Sequence, residues 1–363
     1  MCAVRVYNFS AGPAVMPLDV LEEAAAELAD WQGSGMSVME VSHRGKAFVA
    51  CAADTEARFR SVMGVPDDYA VLFLQGGATG QFAAVPMNLT AAGDSIDLIN
   101  TGQWSAKALS EAKKYGLDVR VVADEVASKY TSTPAAGSYT LNADAKYVHY
   151  TPNETIGGVA FGYVPETGDV PLVADMSSMI LSQPIDVTKF GVIYAGTQKN
   201  LGPAGMCVVV VRRDLMGHAR TDTPTILEYS GMAANDSMLN TPPTFGIYLL
   251  GKILAWIEVK GGVDGIAAIN RAKAAALYDF IDGHPFYSNP VALDSRSIMN
   301  VTFLLADPEL DKQFVSEATA AGLTNLAGHR SVGGMRASIY NAMPREGVDA
   351  LIAFMADFAA KNG

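Results

Sequence analysis

Tyr194-Ala195-Gly196-Thr197-Gln198-Lys199-Asn200-Leu201-Gly202-Pro203-Ala204-Gly205 decides how the chain is read. An apolar run at 190–195 leads into it and a second, at 206–211, leads out. Small and loop-forming residues fill the space between. The order is therefore strand, tight loop, strand, with one amine held at the end of a buried element. Burial lowers the pKa of such an amine and frees its nucleophile. A loop lysine is ordinarily an inert surface cation, so its surroundings must carry the argument.

Outward from Lys199, short apolar runs alternate with amphipathic stretches from about residue 70, the pattern of an α/β domain with a largely parallel sheet. Strands are expected at 70–74, 95–100, 119–123, 147–150, 172–174, 191–195 and 206–211, and helices at 81–89 and 105–115. Their order in the sheet is not readable from sequence. After residue 240 the texture changes. Pro242-Pro243 introduces a helix over 244–259, Gly261-Gly262 interrupts, and a second helix follows over 263–281. Strand 298–305, helix 309–321, strand 334–339 and helix 345–360 then form a small α+β unit. The glycine pair is the expected domain boundary.

At 363 residues the chain is long enough for two domains, since single cores stop growing near ~250–300 residues. Half the residues are apolar and 18% are charged, with mean hydropathy +0.17, which suits a globular enzyme that forms interfaces. A net charge of −12 argues against a nucleic-acid surface, where a basic stripe is expected. Any anion must instead be caught by a few local cations. No apolar run approaches the ~18 residues of a membrane span, and the first ten residues lack the apolar core of a secretory signal, so the expected location is the cytoplasm. Cys2, Cys51 and Cys207 are odd in number and widely spaced, which supports neither a disulfide framework nor a zinc cluster. No metal is expected, and Cys207 reads as core.

Gly76-Gly77-Ala78-Thr79-Gly80-Gln81 follows a strand and opens a helix. Small residues let the backbone approach an anion, and the helix start offers unpaired N–H groups, so this turn suits a phosphate. Asp175 closes the apolar run 170–174, 24 residues before Lys199. Ligands in parallel α/β sheets bind at the carboxyl ends of strands. A lysine and an aspartate at two such ends match the pairing used with pyridoxal 5'-phosphate, in which lysine forms the Schiff base and aspartate keeps the pyridine nitrogen protonated. Taken alone, Asp175 also reads as an N-cap for Met176-Ser177-Ser178. Trp104 follows another strand and can stack on an aromatic cofactor. His43-Arg44 and His329-Arg330 are the only His-Arg pairs, and Arg336 lies near the second. Guanidinium forks bind phosphate or carboxylate through paired hydrogen bonds, so these arginines suit a substrate bearing both groups.

Together these motifs resemble the phosphoserine aminotransferases, fold-type I pyridoxal-phosphate enzymes of the class V group. The resemblance runs nearly end to end, through Asn8-Phe9-Ser10-Ala11-Gly12-Pro13-Ala14, His43-Arg44-Gly45, Pro152-Asn153-Glu154-Thr155-Ile156-Gly157-Gly158 and the segment 328–341. That last segment is the most specific, because other class V enzymes share the aspartate and lysine without its arginines. The resemblance implies a large domain over 15–260 with a mostly parallel seven-stranded sheet, and a smaller α+β domain from 1–14 and 261–363. It gives Lys199 the Schiff base and Asp175 the pyridinium nitrogen, and it stacks Trp104 on the ring. Ala78, Thr79, Thr155 and Gln198 would hold the cofactor, together with Asn240 and Thr241 from a neighbouring subunit, which makes a homodimer with interfacial active sites the expected state. Ser10, His43, Arg44, His329, Arg330 and Arg336 would bind substrate. Some members carry arginine where Thr79 stands, so only backbone contacts transfer there.

The implied reaction is reversible transfer of an amino group between glutamate and 3-phosphohydroxypyruvate, giving 2-oxoglutarate and O-phospho-L-serine in serine biosynthesis. Many relatives also serve 4-phosphohydroxy-L-threonine in pyridoxine biosynthesis. Two other readings stand beside this one. A related class V enzyme, such as an alanine:glyoxylate aminotransferase or a cysteine desulfurase, would use another donor, and none of the three cysteines is placed as a desulfurase thiol. A silent protein that only holds a phosphorylated metabolite would leave the Lys199 and Asp175 pair without a purpose.

Overall fold

The computed structural model describes residues 5–363. Its centre is a sheet of seven strands: β1 (Tyr69–Gln75), β2 (Ser95–Asn100), β3 (Asp118–Asp124), β4 (Val148–Tyr150), β5 (Leu172–Asp175), β6 (Val192–Gly196) and β7 (Met206–Arg212). The spatial order is β1-β7-β6-β5-β4-β2-β3. Neighbours from β6 through to β3 are parallel. β7 runs antiparallel to both β1 and β6, so β1 points the same way as the rest. The carboxyl ends of six strands therefore meet on one edge.

Helices cover both faces, which is why the strands read as continuous apolar runs. Along β1, Tyr69, Val71 and Phe73 face one core while Ala70, Leu72 and Leu74 face the other. β7 divides likewise, with Val208 and Val210 on one side and Cys207, Val209 and Val211 on the other. The helices Ala78–Leu89 and Gln103–Ala112 pack on the second face. On the first face lie Lys46–Met63 and Thr244–Val259.

A separate core is built by Phe9 and Val15 with residues from Ala274 to Ala359. It is covered by the helices Gly262–Gly283 and Arg345–Asn362 and by a three-stranded antiparallel sheet of Tyr287–Ser288, Asn300–Leu305 and Met335–Ser338. Near the start of the chain, Tyr7–Asn8 pairs in parallel with Leu323–Thr324. Among the described residues no helix is long and apolar enough to cross a membrane.

The seven strands stand where the sequence puts them, within a few residues at each end. The helix expected over 81–89 begins earlier, at Ala78, because the glycine turn feeds directly into it. The helix expected over 105–115 begins at Gln103, and its last turn, Lys113–Tyr115, tightens to 3-10 geometry. Leu18–Glu27 and Lys46–Met63 have no counterpart in the sequence reading. The second buries Phe48, Ala52, Thr55, Phe59 and Met63, a helical spacing that would have revealed it.

Candidate active site

The loop from Thr197 to Gly205 joins β6 to β7 and is held from within. Leu201 and Gly202 donate to the Thr197 carbonyl, and Thr197 donates to Met206. Lys199 therefore starts from a fixed backbone. Its Nζ donates to Thr155 Oγ1 at 2.7 Å and lies 5.5 Å from the centroid of the Trp104 ring. Burial pushes its pKa down to about 8; Asp175 and Glu154 pull it back up, and Arg336 adds to the depression. At neutral pH a readily released proton sits on a lysine surrounded by cleft walls.

Asp175 is the last residue of β5 and is 4% exposed. Its Oδ1 accepts from the Ser177 N–H at 3.0 Å and from the Ser177 hydroxyl at 2.6 Å. No helix follows Asp175, so the cap read from sequence is replaced by a local turn in which one carboxylate oxygen holds Ser177. No hydrogen bond to Oδ2 occurs among the described residues, which leaves that oxygen for a ligand. Burial raises the Asp175 pKa, while Ser177 and Lys199 lower it. Gly196 N–H donates to the Ser177 hydroxyl at 3.1 Å, tying the aspartate to the end of β6.

Gly76 adopts φ +98°, which a side chain resists, and its N–H donates to Gly205 at the far end of the lysine loop. The helix Ala78–Leu89 starts with no side-chain cap, so its first N–H groups, around Ala78 and Thr79, are free for an anion. The N-terminal loop closes a further side. Ala14 donates to the Gln198 carbonyl at 2.9 Å, and a Cβ on Gly12 would come 3.5 Å from Lys199 Cγ. The Ser10 hydroxyl accepts from Gly12 in the same loop.

The second His-Arg segment reaches this cleft. Gln103, adjacent to Trp104, donates to the Ser331 hydroxyl, and that hydroxyl lies 2.7 Å from His329 Nδ1. Burial, Arg336, Arg330 and Lys107 together lower the His329 pKa. Arg336 Nε is buried without a partner, and neither Arg330, Arg336 nor Lys107 forms an ion pair among the described residues. These cations, none held in an ion pair among the described residues, suit an anionic guest.

The remaining residues singled out stand apart within one chain. His43 Nε2 is buried without a partner and Arg44 is exposed, and no hydrogen bond joins either to the Lys199 cluster. Asn240 and Thr241 are exposed beside Gln75 at the end of β1, whose Nε2 donates to the Thr241 carbonyl at 2.6 Å. Sequence reasoning missed Ser177, Asn200, Lys107 and Glu154. Lys107 was visible in principle, one turn after Trp104; its ammonium sits 4.1 Å from that ring.

The residues fit pyridoxal 5'-phosphate. An amine, a buried carboxylate with one free oxygen, an indole facing the amine and an uncapped helix start converge on one edge of the sheet. The aminotransferase class-V family model matches residues 6–351. A phosphoserine aminotransferase of Hahella chejuensis (strain KCTC 2396) is 56% identical over 360 residues, 99% of each chain. The solved structure of phosphoserine aminotransferase from Bacillus circulans subsp. alkalophilus is 50% identical, with 99% of each chain covered and a TM-score of 0.97. That of the PLP-bound phosphoserine aminotransferase from Trichomonas vaginalis is 42% identical and covers 97% of this chain and 100% of its own, with a TM-score of 0.93. A likeness this extensive, in sequence and in backbone, means that the chain belongs to the phosphoserine aminotransferases of the class-V aminotransferase family.

Proposed function

We propose that this protein transfers an amino group reversibly between O-phospho-L-serine and 2-oxoglutarate, with pyridoxal 5'-phosphate as cofactor. The observation that carries the reading is the convergence of Lys199, Thr155, Asp175 and Trp104 in a cleft rimmed by His329, Arg330 and Arg336. The relatives named above support the substrate. Bound there, the cofactor supplies an electron sink for the negative charge that develops at the substrate's α-carbon.

The chain's own residues do the rest. Lys199 holds the cofactor, then acts as base, taking the α-proton at Nζ and returning it. Thr155 aims that amine through its 2.7 Å hydrogen bond. Asp175, held in place by Ser177, would keep a proton on the cofactor's ring nitrogen. Trp104 would supply the stacking face, and Ala78, Thr79 and Gln198 would help to hold the cofactor. Arg336, His329 and Arg330, with Ser10, would hold the substrate's carboxylate and phosphate, and His43 and Arg44, which stand apart from Lys199 within one chain, would join them only in the homodimer.

In the same reading the enzyme is a cytoplasmic homodimer in which Asn240 and Thr241 complete a partner's cofactor site; their exposure in the single chain leaves them free to do so. Two working units, residues 15–260 and residues 1–14 with 261–363, agree with the separate core around Phe9 and Phe303. Whether 4-phosphohydroxy-L-threonine is also a substrate is a matter for the same assay.

Absorbance spectra of the purified protein, before and after addition of phosphoserine, test the proposal. The visible band of the lysine-bound cofactor should be present, shift with phosphoserine, and vanish in Lys199→Ala along with turnover. Full activity in Lys199→Ala, or equal rates with phosphoserine, alanine and serine as donors, would sink it.

A further inference from the structure

Two helix N-termini open toward the cleft, and only one is vacant. The start of Ala78–Leu89 has no side-chain cap. The start of Gln103–Ala112 is closed by Glu154, a carboxylate distant in sequence and 1% exposed. Its Oε2 accepts from the Trp104 N–H at 3.0 Å, and its Oε1 accepts from the Ser105 N–H at 2.8 Å and from the Ser105 hydroxyl at 2.7 Å. Residue 102 must be glycine for this arrangement, since a Cβ there would lie 2.6 Å from Glu154 Cδ.

The next residue, Thr155, accepts from Lys199. One dipeptide thus grips the backbone of Trp104 with one side chain and the amine of Lys199 with the other. The charged groups that face Lys199 are Asp175 from β5, Glu154 from the Asn153–Glu154 strand and Arg336 from the Met335–Ser338 strand. Burial raises the Glu154 pKa, and the three donors from Ser105 and Trp104 on its two oxygens draw it back, so the carboxylate stays ionised more readily than burial alone allows.

We propose that Glu154 is a positioning residue: it sets the seat of the Trp104 indole relative to Lys199 and supplies the second negative charge felt by that amine. This rests on the reading of the cleft as a pyridoxal-phosphate site. It also explains why an incoming phosphate goes to Ala78 rather than to Gln103, whose N–H groups are already taken.

The test uses protein stripped of cofactor. Glu154→Gln keeps the volume, removes the charge and turns an NH2 group toward the helix N–H groups. Affinity for pyridoxal 5'-phosphate should fall about tenfold, the effect of one unpaired buried donor. Lys199 should also lose its proton at lower pH than in the parent, read from the pH dependence of its reductive methylation. A merely structural role would leave that titration unmoved. Ser105→Ala, a smaller change, loosens the carboxylate without removing it; cofactor affinity should fall about threefold while the Lys199 titration stays. Parental affinity in both variants, or a parental Lys199 titration in Glu154→Gln, would overturn the proposal. Neither measurement involves an amino donor, so failure of the phosphoserine assignment would show separately, as absent turnover in the parent.

Discussion

The backbone N–H of Asn341 donates to Oδ1 of Asn200 at 3.1 Å. This bond ties the segment that follows Arg336 to the residue beside Lys199. Asn341 is held in turn by Asn270 Nδ2 at 2.8 Å and donates to the Leu181 carbonyl at 2.9 Å. The segment after Arg336 and the loop that carries Lys199 thus share one buried polar network.

Asn200→Ala removes the acceptor for Asn341 and the donor to the Ile180 carbonyl, which are both buried. Urea unfolding should show a loss of about 2 kcal/mol. Turnover should also fall about tenfold as the lysine loop loosens. A loss of stability with parental kcat would limit the network to holding the fold.

Arg336→Lys keeps the charge but loses the planar fork, and it removes the Nε that stands buried without a partner. The KM for phosphoserine should rise at least about tenfold, with a smaller change in kcat. An unchanged KM would move the carboxylate contact elsewhere.

In the stripped protein, Lys199 should titrate near 8 instead of the usual lysine range. Below that pH the amine is charged and slow toward electrophiles; above it, neutral and fast. Competitive labelling across pH 6 to 11 checks the midpoint, and one above about 10 would contradict the burial argument.

Lys273 gives a stability prediction of unusual sign. Its ammonium is fully buried and donates to the carbonyls of Ile339, Tyr340, Asn341 and Met343. Burial pushes its pKa down to about 7, against about 10.4 for an unfolded lysine. Between those values the unfolded chain binds more protons, so stability should rise with pH from about 7 to 10, and the penalty is fully present below 7. Lys199 acts in the same direction above 8. Urea midpoints across this range should climb in the parent and climb less in Lys273→Met, which should also be less stable throughout because it leaves four carbonyls unpaired.

The sheet was legible because its strands are covered on both faces and so appear as unbroken apolar runs. Asp175 was legible as a candidate because it directly follows such a run, and Lys199 because it stands in the short loop just past one. The order of strands was not, since pairings such as β7 with β1 depend on contacts far along the chain. Glu154 was hidden for a related reason: nothing near it in sequence reveals that its carboxylate closes a helix beginning at Gln103. Leu18–Glu27 follows Pro17 without a side-chain cap and buries only Val20 and Ala24, too slight a stripe to stand out. His43 and Arg44 were readable as an anion-binding pair, but the single chain joins neither to the amine they were expected to serve.

The pairing of Tyr7–Asn8 with Leu323–Thr324 sets an order of events during synthesis. On the ribosome the first strand waits for a partner 317 residues away in the case of Tyr7 and Thr324, while β1 to β7 can already assemble behind it. Until that late segment emerges, the loop from Ser10 to Ala14 lacks the bonds that Phe9 and Ala11 make to Thr324 and Tyr340. A nascent chain therefore carries its amine in an unfinished pocket until Leu323–Thr324 has emerged.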